Sequence, residues 1–434
     1  MLFNDITTVN ADFDVVEHAY VGVTGSTISY FDTVPPADPQ AFGEVYEGKG
    51  RLLVPGFYNT HTHLPMCLMR GYAEGLPLMD WLNGLIFPFE DLLTEEDQYW
   101  GTLLGVAEML RYGTVGASDI YLCQRAAGRA LLESGAKADF SQNVVSFDES
   151  GLRELPFYQM ALECQKEFDG AGDGRLHTSF ALHAEYSNTE RVARELAAVA
   201  AEHGSAVQLH LSETKGEVEQ CRERHEGRSP VRFLHDCGLF DVPATAAHCV
   251  WVDDDDIAIL REKGVSVASC PKSNLKLASG VAPIAALLDA GVNVTIGTDS
   301  VASNNNLNMV EEMRFFNLLQ KGVRHDPTLI SPKQTLYAAT RAGALAQQRA
   351  DCGLIETGFK ADLAVLDVSA PAMQPCHDML NNLVYSSSGS DVVLTMVDGA
   401  VLYRDGAYPT LDIERIVYEV EASRRRILGD LAQG

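Results

Sequence analysis

Between residues 56 and 353, short β-branched, apolar runs alternate with longer stretches in which apolar positions recur every three or four residues. The short runs predict buried strands: "GFYNTHTH" (56–63), "TVGASDIY" (114–121), "KADFSQNVVSF" (137–147) and "LHTSFALHAEY" (176–186). "AVQLHLSET" (206–214), "ATAAHCVWV" (244–252), "VSVASCPKS" (265–273) and "VNVTIGTDS" (292–300) continue the series. Helical spacing fills most of the gaps, as in "TERVARELAAVAAEHG" (189–204), "DDDIAILREKG" (254–264) and "VAPIAALLDAG" (281–291). Eight strands alternating with helices predict an α/β fold, a (β/α)8 TIM-like barrel with its site at the C-terminal ends of the strands. The competing arrangement, a doubly wound open sheet, lacks a GxGxxG after an early strand.

The two ends carry a different pattern. Residues 1–55 contain "HAYVGVTGSTISYF" and "GEVYEGKGRLLV". After a helical "SPKQTLYAATRAGALAQ" (331–347), residues 354–434 return to short strands and Gly-containing turns, as in "GFKADLAVLDV", "DVVLTMVDGAVLY" and "RDGAYPTLD". These ends are expected to form the two parts of one small β-sandwich domain flanking a barrel of residues 56–353. "IERIVYEVEASRRRILGDL" reads as a surface helix closing the second part.

The strands also place the candidate chemistry. His61 and His63 lie one residue apart in "GFYNTHTH", so on a strand they share a face, whereas on a helix they would diverge. His210 ends the fifth strand, His248 the sixth and Asp299 the eighth. Each alone has a bland explanation: core histidines, or a carboxylate capping a helix. Together they sit at the same end of different strands, with the nitrogen and oxygen ligands a first-row metal prefers. The two histidines are therefore expected to converge on a metal, with a coordination position left for water.

Charge and cysteines narrow the setting. Sixty acidic residues against 33 basic ones give a net charge of −27, which disfavours nucleic acid and anionic membranes as partners. Acidity also aids solubility. No apolar run reaches membrane-spanning length, and "MLFNDITTVNADFD" lacks the features of a signal peptide. Nine cysteines without a CxxC pair read as reduced thiols in a cytoplasmic protein. Two other motifs are set aside: "HAE" (183–185) lacks the PCxxC that a cytidine-deaminase-type zinc site requires, and Cys270 has no paired thiol.

The motifs "PGFYNTHTHLPM", "RGYAEGLPLMDWLNGLIFPFE", "LHLSET", "AAHCV", "CPKSNLKLASGVAPI", "GTDSVASNNNLNM" and "GLIETGFKADLAVLD" carry a resemblance that runs over nearly the whole chain. It resembles the amidohydrolase superfamily and, within it, the methylthioadenosine/S-adenosylhomocysteine deaminase (adenosine deaminase-like) and chlorohydrolase group. The resemblance implies one divalent metal, Zn2+ before Fe2+ or Mn2+, held by His61, His63, His210 and Asp299. It also implies Glu213, His248 and Asp299 as the catalytic groups of a hydrolytic deaminase. Glu213 would pass a proton to a ring nitrogen and then to the leaving amine, and His248 would hold the attacking oxygen. Glu90 and His183 would contact ribose and purine, Glu213 the ring, and Trp81 the pocket mouth.

On the third strand, where relatives that take S-adenosylhomocysteine carry an arginine, this chain has Gln142; a second arginine aligns with Arg153 only after a one-residue shift. Losing a fixed cation weakens binding of a charged tail. The expected small-molecule substrate is thus adenosine, deoxyadenosine or 5′-methylthioadenosine, ahead of S-adenosylhomocysteine. The alternatives are an amino- or chlorohydrolase of guanine, a pterin, cytosine or a triazine, and, ranked lowest, a non-catalytic scaffold. Relatives of this kind lead one to expect a homo-oligomer.

Overall fold

The computed structural model describes residues 1–433. Eight parallel strands run in barrel order: Phe57–Thr62, Thr114–Tyr121, Lys137–Val144, Leu176–Leu182, Val207–Leu211, Ala244–His248, Ser266–Ser269 and Asn293–Ile296. Nearly every residue in them is buried, as expected where side chains fill the barrel on one face and meet helices on the other. The observed strands are mostly shorter at their C-terminal ends than the apolar runs, because the residues that close the runs belong to the loops above the barrel.

Closure of the barrel depends on small and hydroxyl-bearing residues. The Thr60 hydroxyl meets that of Thr295 at 2.6 Å, and the Asp299 amide donates to the His61 carbonyl at 2.9 Å. Gly297 lies so close to the first strand that a Cβ there would sit 2.8 Å from the Cβ of His61 and 2.9 Å from its backbone nitrogen. Only glycine allows the eighth strand to approach the first this closely.

Both chain ends contribute to a second sheet. Its strands follow the order Ala400–Arg404, Val392–Val397, Leu363–Asp367, Arg51–Pro55, Leu2–Val9, Val15–Thr24 and Thr27–Asp32, with Val45–Glu47 also pairing Leu2–Val9. The seam between the two ends is antiparallel, Leu52 opposite Leu366 and Val54 opposite Ala364. One continuous ladder therefore joins the strands expected as a β-sandwich, and it has its own apolar cluster, including Phe3, Ile6, Val21, Leu53, Leu363 and Leu394. The last helix, Ile413–Leu431, buries Ile416, Val420 and Ile427 and packs against helix Glu95–Arg111. No helix among the described residues is long and apolar enough to cross a membrane.

Between the first two barrel strands the chain makes a long excursion over the barrel mouth. It contains the turns at Leu64–Met69, the short helical pieces Leu78–Trp81 and Phe87–Glu90, and the helix Glu95–Arg111. The short pieces roof the site, and the longer helix anchors them.

Candidate active site

His61 and His63 leave the first strand pointing the same way, as the period of two requires. The Nε2 atoms of His63 and His210 face each other at 3.3 Å, and Asp299 Oδ1 lies 3.3 Å from His63 Nε2 and 3.6 Å from His61 Nε2. The ligating atoms of His61, His63 and His210 all lie within 4.8 Å of one another, as do those of His61, His248 and Asp299.

The outer nitrogens decide the protonation of the inner ones. His210 Nδ1 bonds the His183 carbonyl at 2.6 Å, and His63 Nδ1 bonds the carbonyl of Ile120. A carbonyl oxygen can only accept, so each Nδ1 donates and, in a neutral ring, each Nε2 presents a lone pair. Burial lowers the His63 pKa, but the Asp299 carboxylate beside it more than offsets this and raises it on balance. The two Nε2 atoms face each other across 3.3 Å, and His61 Nε2 is buried without a hydrogen-bond partner. Burial, reinforced by the other imidazoles, pushes the pKa values of His61 and His210 well below the usual histidine range, which keeps them neutral and able to ligate. A convergent set of imidazoles and one carboxylate fits a divalent cation.

Asp299 is held for this task. Its Oδ2 accepts from Ser273 Oγ at 2.6 Å and Ser303 Oγ at 3.0 Å, and its Oδ1 from the Ser300 amide at 2.6 Å. Asp299 and His248 both adopt left-handed backbone conformations, at φ 61° and 73°. Such geometry costs on the order of 1–3 kcal/mol at a non-glycine residue and is concentrated at functional sites. His248 directs Nδ1 at the Asn274 side-chain oxygen, 2.9 Å away, and its Nε2 lies 3.9 Å from Glu213 Oε2. Glu213 Oε1 accepts from Ser279 Oγ at 3.0 Å, and burial raises the Glu213 pKa.

A cavity of about 640 Å3 opens above this cluster. His63, His183, His210, Glu213, His248 and Asp299 line it; Trp81, Ile86, Phe87 and Glu90 come from the roof, and Phe157 and Met160 from the helix Pro156–Phe168. Trp81 donates its indole N–H to the Ala73 carbonyl at 3.4 Å, so it both anchors the roof and lines the cavity. Burial pushes Glu90 up to about 7 and His183 down to about 4. At neutral pH His183 is therefore an uncharged imidazole, able to exchange neutral hydrogen bonds with a ligand.

Two expected contacts are not brought to this cavity. Gln142 is buried beside the helix Gln124–Ser134 and accepts from the Gln124 amide at 3.4 Å, while its neighbour Asn143 lines the cavity. The difference is one step of strand register, which exchanges the two faces. Arg153 is largely exposed and pairs with Glu202 at 3.3 Å. No lysine or arginine lines the cavity. In the "HAE" segment, Glu185 is paired with Arg224 at 2.5 Å and His225 at 2.8 Å, apart from His183.

Sequence reasoning passed over Tyr121, Asn143 and Asn274. Tyr121 ends the second strand, where the rule that found the histidines would also have found it, and its buried hydroxyl has no partner. Asn274, Ser273 and Ser279 all lie in the quoted "CPKSNLKLASG", but nothing in one dimension shows that this segment bonds His248, Asp299 and Glu213 in turn.

Comparison with known proteins agrees with this geometry. The chain is 43% identical over 377 residues to a 5-methylthioadenosine/S-adenosylhomocysteine deaminase of Dictyoglomus thermophilum, covering 87% of this chain and 88% of that one. A protein of the same name from Moorella thermoacetica is 40% identical over 423 residues, covering 97% and 98%. Among solved structures, a zinc-bound adenosine deaminase from Xanthomonas campestris superposes with a TM-score of 0.91 at 32% identity, covering 99% of this chain and 98% of that one. The amidohydrolase family model matches residues 52–402, the whole barrel with much of the flanking sheet, and the chain belongs to that family.

Proposed function

We propose that the protein is a metal-dependent hydrolase that deaminates an adenine nucleoside, releasing ammonia and the inosine-type product. The observation that carries this reading is the joint lining of one cavity by a carboxylate in the roof, Glu90, and by His183, Glu213 and the histidine–aspartate cluster. A carboxylate can accept from two ribose hydroxyls at once, while a neutral imidazole can bond the purine edge. The names of the relatives support the same substrate class.

His61, His63, His210 and Asp299 would hold the metal, for which zinc is the first choice given the zinc-bound neighbour. Such an ion supplies Lewis-acid activation, lowering the pKa of water towards about 7. Asp299 would accept a proton from the attacking water. Glu213, its pKa raised by burial, would protonate the ring nitrogen beside the amine-bearing carbon, making that carbon electrophilic. The resulting carboxylate would then take the proton of the added hydroxyl and pass it to the departing amine, leaving the lactam carbonyl and ammonia. The proton held by Asp299 would restore Glu213. His248 Nε2 hydrogen-bonds the oxygen as it adds to that carbon.

The lining supports uncharged 5′ substituents. Without a lysine or arginine to meet a carboxylate, adenosine, deoxyadenosine and 5′-methylthioadenosine are favoured over S-adenosylhomocysteine. We further infer a cytoplasmic homo-oligomer that does not bind nucleic acid. Nine free cysteines, eight of them buried or half-buried, support a reducing compartment, and the net charge of −27 disfavours polyanions.

The test is ammonia release by zinc-loaded protein from these four nucleosides and from guanine, cytosine and an aminotriazine. Turnover of the adenine nucleosides, with S-adenosylhomocysteine the poorest by kcat/KM, is expected. Turnover only of bare heterocycles would refute the nucleoside assignment.

A further inference from the structure

Glu213 sits in a sharp turn between the fifth barrel strand and the helix Lys215–Arg224. Ser212, just before it, has a left-handed backbone at φ 50°. Thr214, just after it, is extended at φ −113° and ψ 153°, and a residue between two such different neighbours has no reason, from local backbone preference, to aim its side chain at the cavity. Something must hold the turn, and the structure shows what does.

Glu217, one turn into that helix, is buried, and its carboxylate points back beneath the turn. Its Oε1 accepts from the Ser212 amide at 2.9 Å, and its Oε2 from the Glu213 amide at 2.7 Å and the Thr214 amide at 3.4 Å. The Thr214 contact, with the reciprocal bond from the Glu217 amide to Thr214 Oγ1 at 3.1 Å, is an ordinary capping box. The two shorter bonds go further back, to Ser212 and to Glu213 itself, and helix capping does not require them. They gather three consecutive amides on one carboxylate, close to the limit of what its lone pairs can accept.

From this we infer that Glu217 is a positioning residue for the reaction: by fixing the 212–214 turn it holds Glu213 where a proton can pass to the substrate. Ser279 grips the Glu213 carboxylate from one side while Glu217 grips its backbone from below, so the side chain is held at both ends. This inference rests on the role given to Glu213 above. A displacement of about 1 Å at a catalytic group can cost on the order of 100-fold in rate.

The experiment compares Glu217→Gln, Glu217→Asp and Thr214→Ala in the metal-loaded full-length chain. The amide in Glu217→Gln keeps the shape but has one acceptor oxygen, and its NH2 opposes a backbone N–H. Glu217→Asp keeps the charge but shortens the reach, and it serves if Glu217→Gln does not fold. Thr214→Ala removes the hydroxyl side of the capping box and leaves the bonds from Ser212 and Glu213 in place. With whichever substrate the wild type turns over, kcat should fall about 100-fold in Glu217→Gln and less in Glu217→Asp. KM should rise at least tenfold less than kcat falls, metal content should stay at the wild-type level, and Thr214→Ala should lower Tm while keeping wild-type kcat. If kcat in the folded Glu217 variants matches Thr214→Ala, Glu217 is a helix cap only and the inference is overturned. Loss of metal in those variants would place the effect on His210 and overturn it as well. A wild type that turns over only bare heterocycles would overturn the nucleoside reading and leave this comparison standing.

Discussion

Two buried polar clusters lie at opposite ends of the barrel, and only one is complete. At the base, Lys137 Nζ meets Asp362 Oδ2 at 2.5 Å and Asp398 Oδ1 at 2.8 Å. Tyr58 donates its hydroxyl to Asp362 Oδ2 at 2.7 Å, and the Asp398 amide donates to Asp362 Oδ1 at 2.9 Å. Both carboxylates there find protein donors, and the cluster joins barrel to flanking sheet. At the mouth the arithmetic fails: His61, His63, His210 and Asp299 bring ligating nitrogens and a carboxylate together with no lysine or arginine among them. The base supplies its own cation as a lysine, while the mouth requires one from solution. A buried polar cluster that lacks a counter-charge is the one to read as a site.

The sharpest way to break this contrast is to remove the exogenous cation. Chelation should remove several kcal/mol of barrier lowering, a loss in kcat on the order of 1000-fold or more that zinc restores, measured as ammonia release before and after dialysis. Removing the built-in cation instead should strike folding. Lys137→Met strands two carboxylates and should destabilise the protein by about 3–5 kcal/mol in urea titration, while the folded, metal-loaded enzyme keeps its kcat. Were kcat to drop with it, the two clusters would not be independent.

Smaller changes sharpen the picture. Ser273→Ala removes the 2.6 Å bond to Asp299 Oδ2 and should weaken metal affinity by about 10–100-fold, read by competition with a chromophoric chelator. Glu90 offers the smallest effect and a pH signature. The unfolded chain ionises it near ~4.3, whereas burial lifts the folded value to about 7. The folded protein thus keeps a proton that the unfolded chain gives up, so this group's contribution to stability declines as pH rises from the usual carboxylate range through about 7. Activity moves the other way, since ribose recognition needs the carboxylate: kcat/KM for nucleosides should rise up to about pH 7. Glu90→Gln should flatten that limb and lower its plateau about tenfold, a loss of the size of one charge-assisted hydrogen bond.

Much of the barrel was legible because parallel strands are buried on both faces and therefore read as short apolar runs. His61, His63, His210, His248 and Asp299 stood out because a polar residue at the end of such a run needs a reason to be there. Gln142 shows where that legibility stops. Which of two adjacent residues faces the cavity depends on strand register, and Asn143 takes the inward position. Arg153 shows the same limit in a loop, where no period constrains direction.

By itself, then, the sequence determined the alternation of strand and helix and singled out the histidines and the aspartate that meet at the barrel mouth, since periodicity and residue chemistry are local properties. The tertiary structure alone decided which nitrogens turn inward, because His183 and Ile120 offer carbonyls from other strands to the Nδ1 atoms of His210 and His63. It alone showed that the cavity is walled without a cation, and that Lys137 is satisfied while His61 is not. Those facts are contacts between residues far apart in the chain, and only folding brings them within hydrogen-bonding distance.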